Sequence, residues 1–478
     1  MINKIREIPV SEHSYTFEAA TKNPQFREKG YEEKEYFLYG TANVYHWEDG
    51  EAAIKYADVP YVNRMVVRRP ADPAGFSGNV VVEILNSTSN FDVDRVWYLT
   101  QDYMMDHRDV YIGITSKPNV LKALKQFDSE RYGELTWDFA DQNPDGAEVK
   151  FLGNLAGASS ADTEDGLFWD MLMDLADYLR TPDNELLKGY GKYYQYLAGW
   201  SQSGGYMNRF LKTFAYSKEK ENSYFDGYFS CGSAVSLMPD LNQSYGPTGE
   251  ALTEKLEKIT EPFVDVHTES ENQLWGNYAL RGRNSDKLDF QYRVYDIAGA
   301  THDSQGSLLD CYRDDADLEK CGISFQYPGV ENHPNDFPYH LVFHSALDAL
   351  YRWVREGVAP MVLPRIEADP DLKNCTDATG NAVGGWRLPM IVYPLAVYHP
   401  VCEPSAPENA FGASLFGYVE PYSKEKAVEL YGSAEHYMKL VEEEAERCVK
   451  DGRLLPQDVQ ECLDYCKKAV AECGLDEV

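Results

Sequence analysis

The stretch that decides the fold of this chain reads Tyr196-Leu197-Ala198-Gly199-Trp200-Ser201-Gln202-Ser203-Gly204-Gly205-Tyr206. A strand-like apolar run leads directly into a turn of small residues, and a helix-compatible run follows it. A serine on such a turn has strained backbone angles and crowded neighbours, so the positions two before and two after it must be small. Gly199 and Ser203 meet this requirement around Ser201. The pattern therefore predicts a nucleophile elbow that carries Ser201.

A second frame of the same turn is open, in which Ser203 is the nucleophile between Ser201 and Gly205. Ser203 also replaces the second glycine of the usual Gly-x-Ser-x-Gly pattern. We favour Ser201, because it follows the strand end by the expected Gly-x step and leaves Ser203 as the small residue on the helix side.

A serine hydroxyl becomes a good nucleophile when a histidine, itself oriented by an acid, removes its proton. With such an elbow, the order along the chain is serine, acid, histidine. His302 follows the predicted strand 292–297, and the acid is expected after the preceding strand, 262–267. Glu271 occupies that position, and Glu269 is the alternative acid.

The oxyanion formed during acyl transfer needs N–H donors. One is expected from the backbone of Gln202, at the start of the predicted helix. The second is expected from the loop after the early strand 80–85, at Ser87 or Asn86.

Strand-like and helix-compatible segments alternate on both sides of the elbow, which predicts a largely parallel sheet covered by helices. Earlier runs between residues 36 and 85 are rich in Tyr, Val and Ile and predict additional strands. The predicted fold is α/β, of the α/β-hydrolase type: a mostly parallel central sheet flanked by helices, with an N-terminal β extension and a C-terminal helical elaboration. We expect one elaborated domain over 1–478, divided into an N-terminal β-rich extension (1–75), a catalytic core (76–310), a cap or loop region (311–420) and C-terminal helices (421–478).

The charge balance limits the partners of this chain. Its 45 basic and 78 acidic residues give a formal charge of -33, which repels the phosphates of nucleic acids and anionic membrane surfaces. The N-terminus is too charged for a signal peptide, and no later segment approaches a membrane span. We expect a soluble, cytoplasmic protein without nucleic-acid or membrane partners.

No metal or cofactor is expected. The nine cysteines are an odd number without disulfide-framework spacing, and Cys462, Cys466 and Cys473 fall on one face of a predicted helix, which favours core packing of free thiols. Four further histidines lack metal-ligand spacing and are interpreted as structural: His267, His340, His344 and His436.

The minimal sheet and catalytic residues are complete by His302, which leaves the stretch 359–420 for another role. Long irregular segments are often functional, and the chain holds 35 Tyr and 8 Trp. We predict a cap over the substrate pocket, with Trp386 and Tyr393 among its contacts and Trp200 lining the pocket beside the nucleophile. The alternative is a wrap that only stabilises the sheet.

Beyond the elbow, five more segments resemble sequence motifs of one protein family: residues 81–86, 128–133, 292–302, 346–353 and 380–385. With them the chain resembles a bacterial family of α/β-hydrolase-domain proteins that share a Gly-x-Ser-Gln-Ser-Gly elbow. The resemblance implies that the C-terminal helical part belongs to the same folding unit. It implies no substrate, because a fold does not fix a function.

The residues predict a hydrolase that cleaves a small-molecule carboxylic ester through an acyl-enzyme, without a cofactor. An acyltransferase, a thioesterase or an amidase would use the same residues. A noncatalytic binding protein that kept the fold is the alternative from another class.

Overall fold

The computed structural model describes residues 1–17, 26, 28–139, 162–182, 184–217, 223–233, 238–243, 256–274, 283–323, 330–371 and 373–477. Its strands are β1 (Ile2–Ile8), β2 (Tyr31–Glu48), β3 (Glu51–Pro70), β4 (Asn79–Ile84), β5 (Val110–Ile114), β6 (Tyr194–Trp200), β7 (Gly227–Cys231), β8 (Ile259–Thr268), β9 (Ser285–Lys287), β10 (Phe290–Ile297), β11 (Ala396–His399) and β12 (Tyr418–Pro421). Its helices are α1 (Arg95–His107), α2 (Leu121–Phe127), α3 (Ser129–Tyr132), α4 (Phe168–Arg180), α5 (Gln202–Thr213), α6 (Glu269–Leu274), α7 (Ala316–Lys320), α8 (His340–Glu356), α9 (Pro389–Val392), α10 (Ala410–Leu415), α11 (Lys424–Tyr431), α12 (Ala434–Asp451) and α13 (Val459–Glu472).

The chain forms two compact units, and each of them is assembled from three separate segments. The first unit comprises Met1–Phe263, Lys287–Gln291 and Cys311–Phe325. The second comprises Val264–Asp286, Tyr292–Asp310 and Gln326–Val478.

The first unit contains a mixed sheet in the strand order β1-β2-β3-β5-β4-β6-β7. Strand β4 pairs in parallel with β5 and β6, and β6 pairs in parallel with β7. The pairs β1/β2, β2/β3 and β3/β5 are antiparallel. All six residues of β4 are buried, as expected of a parallel strand covered on both faces. This is the predicted α/β architecture, including the N-terminal β extension.

Strands β2 and β3 form a hairpin of 18 and 20 residues. Glu48 pairs with Glu51, so the connection is the two-residue turn Asp49-Gly50, with φ of 51° and 83°. Two positive φ angles give a turn whose twist matches that of the flanking strands. The hairpin is much longer than the short runs predicted between residues 36 and 67.

The second unit contains the later part of β8, the first two residues of β9 and most of β10, and β10 lies between the other two strands. The segment 359–420 is attached to β10 through Asp296, whose carboxylate accepts two hydrogen bonds from Arg365, at 2.6 and 2.9 Å, and one from the N–H of Ile366 at 3.0 Å. A parallel bridge between Ile297 and Trp386 adds a second attachment. The segment therefore packs as part of the second unit. It was expected to lack regular secondary structure, and it instead contains the short elements α9, β11, α10 and most of β12.

Two smaller expectations concern the thiols and the membrane. All nine cysteines are free, and Cys462, Cys466 and Cys473 are buried, which confirms the prediction of core thiols. Within the described ranges, every helix is too short or too polar to cross a bilayer.

Candidate active site

Ser201 is the single residue between strand β6 and helix α5. Its backbone angles are φ 52° and ψ −117°, a combination that side-chain-bearing residues rarely adopt and that is found mainly at functional sites. The turn is held on both sides, because the N–H of Ser201 donates to the carbonyl of Cys231 at 2.9 Å and its own carbonyl accepts from Gly205 at 3.1 Å. The half-buried Ser201 side chain stands on a rigid, strained turn.

Two glycines allow this turn to close. A Cβ atom on Gly199 would lie 2.6 Å from the carbonyl carbon of Ser203, and one on Gly204 would lie 2.5 Å from the Cβ of Ser233. Both positions therefore exclude any side chain. Sequence reasoning identified the crowding at Gly199 and missed it at Gly204, although the Gly204-Gly205 pair was a signal.

Ser203 is committed to the backbone of the turn. Its Oγ accepts from the N–H of Trp200 and donates to the carbonyl of Trp200, both at 2.9 Å, and its side chain is buried. A hydroxyl has one hydrogen to donate. The geometry thus gives Ser203 a structural role and favours the frame centred on Ser201.

The two candidates for the second oxyanion donor differ in the use of their backbone N–H groups. The N–H of Asn86 donates to Val93 at 2.9 Å, and its side chain donates to the carbonyl of Trp200 at 3.0 Å. The N–H groups of Ser87 and Gln202 have no acceptor among the residues that the structure describes. Unpaired N–H groups are what an oxyanion requires, so Ser87 fits this role and Asn86 serves to fix the loop.

The side chain of Gln202 connects this loop to the elbow. Its Oε1 accepts from the hydroxyls of Ser87, at 3.0 Å, and Thr88, at 3.3 Å. From the other side, Asn119 donates to the carbonyl of Ser87 at 2.9 Å. The loop that carries the Ser87 N–H is thus fixed to the residue that carries the Gln202 N–H.

In the second unit, His302 and Glu271 form a buried pair. The Nδ1 of His302 lies 2.6 Å from Oε1 of Glu271, and Glu271 has no exposed surface. Although burial acts to raise the pKa of Glu271, its hydrogen bond with His302, the nearby His302 and His267, and the Thr268 hydroxyl lower it below its usual range. Since an ionised carboxylate only accepts hydrogen bonds, Nδ1 carries the proton and Nε2 is the nitrogen with the basic lone pair.

Glu269, the alternative acid, is used elsewhere in the second unit. Its Oε2 accepts from the N–H of Gly299 at 2.7 Å, and Asn374 donates to its carbonyl oxygen at 3.1 Å and to Oε1 at 3.4 Å. Burial raises the pKa of Glu269 to about 7, against the lowering effect of the Gly299 N–H. These contacts favour a structural role in the loop before His302.

The Glu269→Gln variant should be less sensitive to alkaline pH than the wild type. The carboxyl has a pKa of about 7 when folded and 4.5 ordinarily, so its contribution is complete below pH 4.5 and is lost as the pH rises to 7. This loss is on the order of 3 kcal/mol. In urea unfolding, the free energy of unfolding of the variant minus that of the wild type should be more positive at pH 8 than at pH 4.5. Gln at the exposed position Glu443 is the control; equal gains at both pH values for Glu269→Gln would contradict the prediction.

The aromatic residues predicted to line a substrate pocket are placed differently from one another. Trp386 is only 1% exposed; its ring packs edge-on against Tyr295, with centroids 4.8 Å apart, and its Nε1–H donates to the carbonyl of Arg453 at 3.0 Å. Trp386 is therefore a core residue of the second unit with no area to offer a substrate. Tyr393 is half-buried and accepts from Arg447 at 3.3 Å, and a pocket role for it stays a prediction.

Trp200, beside the nucleophile, is buried in the first unit. The guanidinium of Arg95 lies 5.7 Å from its ring centroid, and its ring lies 2.9 Å from the place of a Cβ atom on Gly232. The Trp200 ring therefore packs beside Arg95 and Gly232 in the interior next to the elbow.

We expect Trp386→Ala to unfold the protein more easily rather than only to change its ester selectivity. Truncating a buried tryptophan costs about 3 to 5 kcal/mol. Urea unfolding checks this, with Tyr393→Phe as a control that should change stability by less than about 1 kcal/mol. If Trp386→Ala instead keeps full stability and shows an altered preference for bulky esters, the predicted role of Trp386 in the substrate pocket would be supported.

Three of the four histidines interpreted as structural lie beside carboxylates. His267 lies 2.9 Å from Asp265, His340 lies 2.8 Å from Glu461, and His344 lies 3.0 Å from Asp458. Across the described part of the chain, no cluster of three or more His, Cys, Asp or Glu side chains suits a metal ion.

The predicted residues thus form two groups. Ser201, Gln202, Ser87 and Asn86 come together in the first unit, and His302, Glu271 and Glu269 in the second. Sequence reasoning missed the hydroxyls of Thr268 and Ser270, which contact Glu271 and the His302 backbone respectively. The signal for them was the alternation of hydroxyl and acidic residues in Thr268-Glu269-Ser270-Glu271.

Comparison with known proteins gives a family. The model of the family described as alpha/beta hydrolase domain matches residues 5–464. No curated protein matches this chain.

Several solved structures are similar at low identity. An alpha-beta serine hydrolase homologue from Coxiella burnetii is 10% identical, with a TM-score of 0.26 over 49% of this chain and 82% of that one. A dienelactone hydrolase from Anabaena variabilis is 13% identical, with a TM-score of 0.27 over 54% and 86% of the two chains. A cold-adapted esterase from an Arctic intertidal metagenomic library is 13% identical, with a TM-score of 0.27 over 55% and 84%.

Proposed function

This chain belongs to the alpha/beta hydrolase domain family, and from that premise we propose that it is a serine hydrolase that cleaves a small-molecule carboxylic ester through an acyl-enzyme. The observation that carries the proposal is the backbone of Ser201, which has a φ of 52° at the junction of a strand and a helix. Strain of this kind persists only where the surrounding structure enforces it, and it exposes a serine hydroxyl at the end of a sheet.

In the proposed reaction, Oγ of Ser201 attacks the ester carbonyl carbon while Nε2 of His302 takes the hydroxyl proton. Glu271 accepts the Nδ1 proton of His302 in a hydrogen bond and stabilises the imidazolium. The C–O bond to the alcohol then breaks, and His302 returns its proton to the leaving alkoxide. Water, deprotonated by His302, releases the acid and restores Ser201.

The N–H groups of Gln202 and Ser87 are the proposed donors to the oxyanion of both tetrahedral intermediates. Two observations support this assignment. Both N–H groups lack an acceptor among the described residues, and the side chain of Gln202 holds the Ser87 loop in place. Fixed donors need no rearrangement as the charge develops, and one such donor contributes about 10²- to 10³-fold in kcat.

The test combines covalent labelling with turnover. A fluorophosphonate should label the folded wild type, with the added mass on the peptide that contains Ser201, and a series of p-nitrophenyl esters from acetate to laurate should be hydrolysed. Ser201→Ala is the control for both. Absence of labelling and of hydrolysis in a folded wild type would favour a binding protein. Product analysis with added alcohol, thioester and amide substrates separates an esterase from an acyltransferase, a thioesterase or an amidase.

A further inference from the structure

The protons around Glu271 can be assigned from donor and acceptor chemistry alone. The carboxylate accepts from the N–H of Thr268 and from its Oγ1–H, the latter at 2.8 Å, as well as from His302. An ionised carboxylate has no hydrogen to give. The single hydroxyl hydrogen of Thr268 must therefore point to Glu271.

This assignment fixes the next hydrogen bond. The hydroxyls of Thr268 and Ser270 lie 3.0 Å apart. Because the Thr268 hydrogen is already given to Glu271, Ser270 must be the donor to Thr268. The Oγ of Ser270 also accepts from the backbone N–H of His302 at 2.8 Å, so this hydroxyl donates one hydrogen bond and accepts another.

The result is a closed ring of hydrogen bonds through Thr268, Ser270, His302 and Glu271. Its members are all buried, where a hydrogen bond is stronger than in water and polarises its neighbours. The ring contacts His302 at two points, the backbone N–H and the ring Nδ1, so it determines both where the histidine lies and how its imidazole is turned.

We propose that Thr268 is a positioning residue for the reaction, because its N–H and hydroxyl hold Glu271 in the orientation that accepts the Nδ1 proton of His302. The proposal rests on the function proposed above. Among the described residues, the titratable groups that act on Glu271 include His302 and His267, and neither residue is substituted in the variants that follow.

The experiment uses the full chain with Thr268→Val and Thr268→Ser. Valine has nearly the shape of threonine and lacks the hydroxyl, whereas serine keeps it. We expect Thr268→Val to lower kcat/KM about tenfold, mainly through kcat, since a misplaced acid impairs proton transfer more than substrate binding. The acid limb of its pH profile should move to higher pH, because a carboxylate with one donor fewer attracts the imidazolium proton more strongly. Thr268→Ser should recover most of the rate and the original limb.

Thr260→Val is the matched control, since it removes a threonine hydroxyl from the same strand, where that hydroxyl donates to Glu261 at 2.9 Å, and it should leave the rate and the pH profile unchanged. If Thr268→Val does not fold, Ser270→Ala removes the other hydroxyl of the ring and should shift the limb in the same direction. A Thr268→Val enzyme with the wild-type rate and pH profile would overturn the proposal, as would equal losses in Thr268→Val and Thr268→Ser.

A spectroscopic readout separates this inference from the proposed function. The Nδ1 proton of His302, followed by NMR at low temperature, should shift in Thr268→Val and return in Thr268→Ser, with or without an active substrate. An unchanged resonance would refute the positioning role. A wild type without Ser201-dependent turnover would instead refute the proposed function.

Discussion

Replacing Ser201 by alanine is expected to lower ester hydrolysis at least about a thousandfold and to abolish fluorophosphonate labelling, because no other group supplies the attacking oxygen. The fold should survive, since the turn is held by the backbone of Ser201 rather than by its hydroxyl. Initial rates and intact-protein mass after labelling are the measurements, with circular dichroism to verify folding.

Ser203→Ala is the matched variant, two residues away. It removes two hydrogen bonds to the backbone of Trp200, so a stability loss of about 1 kcal/mol is expected, with turnover within about tenfold of wild type. An inactive Ser203→Ala enzyme beside an active Ser201→Ala enzyme would transfer the nucleophile to Ser203.

The second large effect is expected from Glu271→Gln, which should lower kcat by about 10³- to 10⁴-fold, since a neutral amide neither stabilises the imidazolium nor fixes the tautomer of His302. Glu269→Gln should stay within about tenfold of wild type, because Glu269 bonds to Gly299 and Asn374. Steady-state kinetics at pH 8 measures both. Losses of equal size would contradict the assignment of the acid to Glu271 over Glu269.

The elbow was predictable because all of its determinants are local. Strand, small residues and helix follow one another within eleven residues, and the backbone of Ser201 follows from that succession. The acid was expected at Glu271 or Glu269 from the strand end, and their different hydrogen bonds come from residues distant in sequence, such as Gly299 and Asn374.

The second oxyanion donor could not be chosen from the sequence, since Ser87 and Asn86 are adjacent and both polar. What distinguishes them is the bridge between Asn86 and Val93. The N–H of Asn86 donates to Val93 in this bridge, whereas the N–H of Ser87 takes no part in it. Composition likewise could not reveal that Trp386 lies in the core, because an aromatic residue in an irregular segment has no periodicity to indicate its direction.

The long hairpin could have been predicted from the sequence. Asp49-Gly50 is the type of dipeptide that forms a two-residue hairpin turn, and buried and half-buried residues alternate along residues 40–44 of β2. Short apolar runs alone suggested shorter strands, because polar residues such as Asn43 and Glu51 interrupt them.

The interleaving of the two units has a consequence for synthesis on the ribosome. The first unit includes Cys311–Phe325, and the last segment of the second begins at Gln326, so neither unit has all of its segments until the chain has been synthesised beyond Cys311. Domains that are continuous in sequence can fold one after the other as they emerge. Here each unit stays incomplete until its last segment has been synthesised. No single cut of the gene yields two fragments that each encode a whole unit.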